Sequence, residues 1–135
     1  MRFAAVLNRD GGTLRTLDLD AFSATIHETV ESAGHEVDID IVAGDRLVAA
    51  IDKAASGASD VVLVGGGDGT VSAAAARLMN QEKALAILPA GTMNLFARTL
   101  KLPLDIWKVL DVLAEGLLLD SDEGQARKAE LLPKY

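Results

Sequence analysis

The residues with the most chemical content in this chain are Gly65-Gly66-Gly67-Asp68-Gly69-Thr70, which follow directly on the apolar run Val61-Val62-Leu63-Val64. Branched apolar residues in a row, broken at once by glycines, read as a strand buried on both faces that ends in a tight loop. Val71 to Met79, with alanine at 73 through 76, reads as the helix that follows, with Val71, Ala75, Leu78 and Met79 on its inward side. The first turn of such a helix has backbone N–H groups without intrahelical partners, and glycines let an anion come close to them. Phosphate is the expected guest.

Asp68 sharpens this expectation. A carboxylate and a phosphate about 4 Å apart repel by about 4 kcal/mol at an effective dielectric of roughly 20. The helix terminus returns only about 0.3–2 kcal/mol. The two anions therefore need a divalent cation such as Mg²⁺ between them, or a geometry that keeps them apart by a water. The alternative for Asp68 is structural: an Asp-Gly pair after a strand often forms a turn or caps a helix.

These residues need a frame. A chain of 135 residues is one ordinary domain with room for a core. Half of it is apolar and only 4% aromatic, so the core is built from Val, Leu, Ile and Ala, which suits an α/β sandwich better than an all-β fold. The formal charge of −7 argues against a nucleic-acid partner, because affinity for a polyanion comes mainly from Lys and Arg on its phosphates. Without cysteine there is no disulfide framework, and the two histidines do not make a zinc site of the usual kind. The first apolar run ends at Asn8, too short for a secretory segment, and no stretch approaches the length of a membrane span. The expected location is the cytoplasm.

Taken in order, Phe3 to Leu7 reads as a strand that ends at Asn8 in the loop Arg9-Asp10-Gly11-Gly12-Thr13. Leu19, Phe22, Ile26, Val30 and Ala33 repeat at helical spacing from about Asp18, and Gly34 is placed to stop that helix. Glu36 to Val42 alternates acidic and apolar residues, the pattern of a strand with one wet face near a sheet edge. Asp45 is the expected cap of a helix with Leu47, Val48, Ile51 and Ala55 inward and Gly57 as its stop. Ala84 to Leu88 is a further buried strand. Pro89-Ala90-Gly91-Thr92 ends it, Met93 to Leu100 reads as a short helix, and another follows from Asp105. Residues 1–118 form the expected α/β domain, and 119–135 a polar tail or the start of a second domain.

Alternating strands and helices imply a three-layer αβα sandwich around a mostly parallel sheet. If the second strand lies outside the first and the third lies on the first strand's other side, the strand order reverses between strands one and three. Ligands bind at such a reversal. The loops Asn8 to Thr13 and Gly65 to Thr70 would flank it, with the Gly91-Thr92 loop opening beside the second.

Neither G-x-x-x-x-G-K-[ST] nor G-x-G-x-x-G is present. Instead Gly65-Gly66-Gly67-Asp68-Gly69-Thr70 is followed, about two dozen residues on, by Leu88-Pro89-Ala90-Gly91-Thr92-Met93-Asn94-Leu95-Phe96-Ala97-Arg98. The pair resembles the diacylglycerol kinase catalytic family, which has G-G-D-G-T, a strand, then P-x-G-T-x-N-x-x-A-R. NAD kinases are similar in fold but share only the first half. The resemblance implies an N-terminal ATP-binding domain of a lipid kinase. Gly66, Gly67, Gly69 and Thr70 would then cradle the ATP phosphates, and Asp68 would serve catalysis beside Mg²⁺. Gly91, Thr92 and Asn94 would line the cleft from the next loop, and Asn8 and Thr13 would face the nucleotide. The family usually has N-P-x-S-G at the first loop, where this chain has Asn8-Arg9-Asp10-Gly11-Gly12-Thr13.

Members of that family are about twice as long, and their second, β-rich domain is thought to hold the acceptor lipid and the general base. The expectation is therefore a nucleotide-binding chain that is incomplete for catalysis alone, whether or not it pairs with another copy in a homodimer. Asp120 and Asp122 read as solvated acids of a tail. His27, His35, Arg77 and Arg98 read as surface residues and Met79 and Met93 as packing residues. The competing expectation is a non-catalytic α/β module, its glycines serving turns, that acts by self-association or partner binding.

Overall fold

The computed structural model describes residues 1–89. The expected helices from Met93 onward, Gly91, Thr92 and Asn94, Arg98 and the tail all lie outside the described residues. The elements run β1 (Arg2–Asn8), α1 (Leu19–Ser32), β2 (Glu36–Val42), α2 (Leu47–Ser56), β3 (Val61–Gly66), α3 (Asp68–Leu78) and β4 (Ala84–Pro89). Short 3-10 turns at Leu14–Thr16 and Gly44–Arg46 precede α1 and α2. All strand pairs are parallel and the order is β2-β1-β3-β4, so the order reverses between β1 and β3 as the pattern requires.

Alternation along the two central strands sorts the core into two layers. Phe3, Ala5 and Leu7 of β1 with Val61 and Leu63 of β3 meet Phe22, Ile26 and Val30 of α1 on one face. Val6, Val62 and Val64 meet Leu47, Ala50, Ile51 and Ala55 of α2 with Ala74 and Leu78 of α3 on the other. This is the αβα sandwich, and the split follows from right-handed crossovers: α1 leads one way from β1, whereas α2 and α3 lead the other way. The alanines of α3 let it lie close, with Ala74 fully buried against the sheet.

Local chemistry sets the element ends. Asp18 caps α1 by accepting from the Ala21 amide at 3.1 Å. Gly34, at φ 85°, ends it in the left-handed region that a Cβ disfavours, with its amide on Glu31 O and that of His35 on Val30 O. At the strands' amino-terminal edge the Arg2 amide donates to Asp60 Oδ2 at 2.9 Å, and the Ala84 amide donates to Asp60 O at 3.1 Å. That edge is tied off by its own hydrogen bonds.

Several packing expectations differ from the structure. Val48 is 45% exposed and Ala50 takes its inward place, because the stripe is set by Leu47, Ile51 and Ala55, and Val48 lies around the helix from it. Met79 is 76% exposed: it caps the end of α3, beyond the last packed turn, while Ala74 rather than Ala75 is buried. His35 is buried, against Phe3, with its Nδ1 2.7 Å from the amino-terminal nitrogen. His27 does lie at the surface, paired with Glu31. Arg77 joins α3 to α2 through Asp52, at 2.7 Å.

Candidate functional site

At the carboxyl edge of the sheet two loops leave neighbouring strands. The register pairs Leu7 with Gly65, so Asn8 and Gly66 end β1 and β3 side by side. A Cβ on Gly65 would sit 2.7 Å from Leu7 Cδ2 and 3.4 Å from Leu14 Cδ1. The volume it lacks is thus filled by the strand beside it and by Leu14, which is fully buried. Leu14 draws the first loop onto the base of the glycine loop, and Thr13 precedes it.

The glycine run is explained by missing side chains rather than by left-handed backbone. Among the described residues Gly34 alone has a positive φ, and Gly67 is extended at φ −88°, ψ −168°. A Cβ on Gly66 would lie 2.7 Å from Thr70 Cβ and 2.9 Å from Thr70 Cγ2. Thr70, 4% exposed, folds back over the strand end and uses that space. Gly69 differs: among the described residues its Cβ would meet nothing within 4 Å, and the residue is exposed. Packing among the described residues does not demand glycine there.

Helix α3 begins at Asp68, three residues before the expected Val71, with Gly67 as its N-cap and no side-chain cap. The Val71 amide donates to Gly67 O at 3.1 Å. Among the described residues no carbonyl outside the helix accepts from the amides of Gly67, Gly69 or Thr70. These are the orphan donors of a helix start, gathered where the strand order reverses. Asp68 is the first helical residue, a place where the helix dipole favours an acid, so its structural reading also has a physical basis.

The first loop is arranged differently. Asn8 Oδ1 accepts from the Asp10 amide at 3.0 Å, and the Gly11 amide donates to Asn8 O at 3.0 Å. Asp10 Oδ2 accepts from the Gly44 amide at 2.8 Å. Asp45, the expected cap of α2, lies inside the 3-10 turn, and α2 has no side-chain cap of its own. The acid at the start of that segment comes from Asp10, 34 residues earlier. Local sequence points to a cap among the helix's own neighbours; the signal for Asp10 is the Asn8-x-Asp10 pattern, which favours a local side-chain turn.

The structure therefore brings Asn8, Gly66, Gly67, Asp68, Gly69 and Thr70 to one edge, with Thr13 one residue from Leu14. Among the described residues no three acids or histidines converge as a metal cluster. A cation at Asp68 would take its other oxygens from phosphate and water, a common arrangement for Mg²⁺. A depression of about 470 Å³ lies elsewhere, between β1, β2 and α2, with Arg2, Lys53, Asp38 and Asp40 among its lining residues. No residue of the two loops lines it, and open parallel sheets bind ligands at the strands' carboxyl ends.

Fold and edge together define an open α/β domain with a glycine-rich strand-to-helix junction at its switch point. The model of the diacylglycerol kinase catalytic domain matches residues 2–126, and the chain belongs to that family. It is 35% identical over 107 residues to a diacylglycerol kinase of Bacillus subtilis (strain 168), covering 76% of this chain and 35% of that protein. It is 37% identical over 79 residues to a probable lipid kinase, YegS-like, of Yersinia pestis (strain Pestoides F), covering 56% and 27%. A crystal structure of a diacylglycerol kinase from Bacillus anthracis str. Sterne superposes with a TM-score of 0.69 at 27% identity, over 84% of this chain and 42% of that one. The chain thus spans less than half the length of these relatives.

Proposed function

We propose that this chain is the ATP-binding part of a lipid kinase, with the triphosphate held at the amino terminus of α3. The observation that carries the reading is the set of amides at Gly67, Gly69 and Thr70 opening at the strand-order reversal, beside an exposed Gly69 whose missing side chain packing does not explain. Family membership supports the donor and the acceptor class. In this reading Gly91, Thr92 and Asn94 also bind the nucleotide, and Asn8 and Thr13 border its site.

In the reaction a lipid hydroxyl oxygen bonds to the γ-phosphorus, the bond to the β–γ bridging oxygen breaks, and ADP leaves. The hydroxyl proton goes to a base in the acceptor-binding part. What α3 contributes is position and charge: fixed N–H dipoles aimed at oxygens whose charge shifts during transfer. Asp68 would hold Mg²⁺, which would supply charge neutralisation at the phosphates.

No helix among the described residues is long and apolar enough to cross a membrane, and we place the domain on the cytoplasmic side, where ATP is supplied. Self-association through the β2 edge is opposed by Glu36, Asp38 and Asp40, all exposed, which would face their own copies.

Titration calorimetry of the wild type and Asp68→Asn with ATP, with Mg²⁺ and with chelator, tests the assignment through its sign. With Mg²⁺ the substitution weakens binding about tenfold, through loss of a charged ligand. Without metal it tightens binding, because a repelling charge has gone. An affinity that Asp68→Asn leaves unchanged in both conditions contradicts the role given to Asp68.

A further inference from the structure

Two helices, α2 and α3, open toward the carboxyl edge on the same face of the sheet, and the start of α2 is plugged by an acid from another loop. The 3-10 turn Gly44–Arg46 runs straight into α2, so the Gly44 amide is the leading donor of that segment. Asp10 Oδ2 takes it at 2.8 Å. The same residue donates its amide to Asn8 Oδ1 at 3.0 Å and accepts from Arg15 Nη2 at its carbonyl, at 3.4 Å. The Arg9 amide, donating to Val42 O at 2.9 Å, fixes the loop's root to β2. Asp10 therefore links the end of β1, the start of α2 and the far end of its own loop.

The geometry points to Asp10 as a positioning residue for nucleotide binding. Its carboxylate latches residues 9–13 to the α2 start, while its backbone amide holds the Asn8 carboxamide with Oδ1 turned to the loop, so that Nδ2 is the donor Asn8 has left to offer a ligand. The latch also directs the Asp10 charge to the Gly44 amide, and the start of α3 remains the place for the nucleotide's anion. This inference rests on the nucleotide reading above. A loop ordered before binding costs less to engage than one ordered by the ligand.

Two variants cut the latch from opposite sides. Asp10→Ala removes the acceptor. Gly44→Pro removes the donor at the first position of a helical turn, which accepts proline, after Ala43 at φ −70°, ψ 157°, the extended backbone that proline asks of its predecessor. Asp10→Asn keeps an oxygen acceptor. Mg-ATP affinity is measured for all of these and for the Asp10→Ala/Gly44→Pro double variant, with amide hydrogen exchange of residues 10–13 read in the absence of nucleotide.

The expected result is a loss of about five- to tenfold in affinity in each cut variant and faster exchange in the loop. Asp10→Asn should stay within about threefold of wild type, and the double variant should be no worse than either single one. A wild type that binds Mg-ATP with an affinity both cut variants retain overturns the role of Asp10 and leaves the nucleotide reading standing. A wild type that does not bind Mg-ATP overturns that reading and this role with it, whatever the exchange data show. If Asp10→Ala does not fold, Gly44→Pro alone decides: retained affinity overturns the role, and lost affinity with a folded spectrum supports it.

Discussion

The two loops at the carboxyl edge solve opposite problems with similar residues. The loop after β1 spends its leading donors on itself: the Asp10 and Gly11 amides both donate to Asn8, and the Asp10 carboxylate reaches the Gly44 amide. The loop after β3 does the reverse, because its helix starts with a glycine N-cap that has no side chain to cap it, and among the described residues no carbonyl outside the helix takes the amides of Gly67, Gly69 or Thr70. Both segments are glycine-rich and both contain an aspartate, yet one is closed by internal hydrogen bonds and the other presents donors outward. A glycine-rich turn is a binding element when its donors are left over, and a structural one when they are consumed.

The sharpest way to separate these roles is to add a methyl group to one glycine at a time. Gly66→Ala has the largest expected effect on stability. Its new Cβ meets the Cβ of Thr70, which the helix backbone holds in place, so the cost is about 1–3 kcal/mol, measured by urea denaturation. Gly65→Ala costs less, about 1 kcal/mol or under, because the nearest atom is the mobile Cδ2 end of Leu7. Gly69→Ala is the smallest in stability and changes sign. With open space around the new methyl the helix gains up to about 0.5–1 kcal/mol, while Mg-ATP affinity falls by roughly fivefold or more as the methyl enters the anion's approach. If Gly69→Ala leaves nucleotide affinity as it was, the outward-facing role of this loop is wrong.

Much of this frame was legible from residue order. The continuous apolar run at Val61–Val64 marked a strand buried on both faces, and the alternation in Glu36–Val42 marked the edge strand, because burial and exposure follow the two-residue period directly. The glycine stop at Gly34 was legible for the same reason: the backbone conformation it permits is local. Features that depend on partners distant in sequence were not. The latch between Asp10 and Gly44, the burial of His35 beside the first residue, and the Arg77–Asp52 link between helices each join elements that meet only after the sheet assembles. At the candidate site the glycines and Asp68 were read together, but not the division of labour among them. Gly66 answers to Thr70 four residues on, and Gly69 to nothing in the described fold.

Amide chemical shifts of the full chain, followed by NMR while Mg-ATP is added to millimolar concentration, test the central claim most directly. The account predicts that Gly67, Gly69 and Thr70 move together and saturably, that the amides of Asp10 and Gly44 move little because they are already bonded, and that Asp68→Asn weakens the response. Unmoved amides from Gly66 to Thr70 at saturating nucleotide, or shifts confined to residues around Asp38, Asp40 and Lys53, would contradict it.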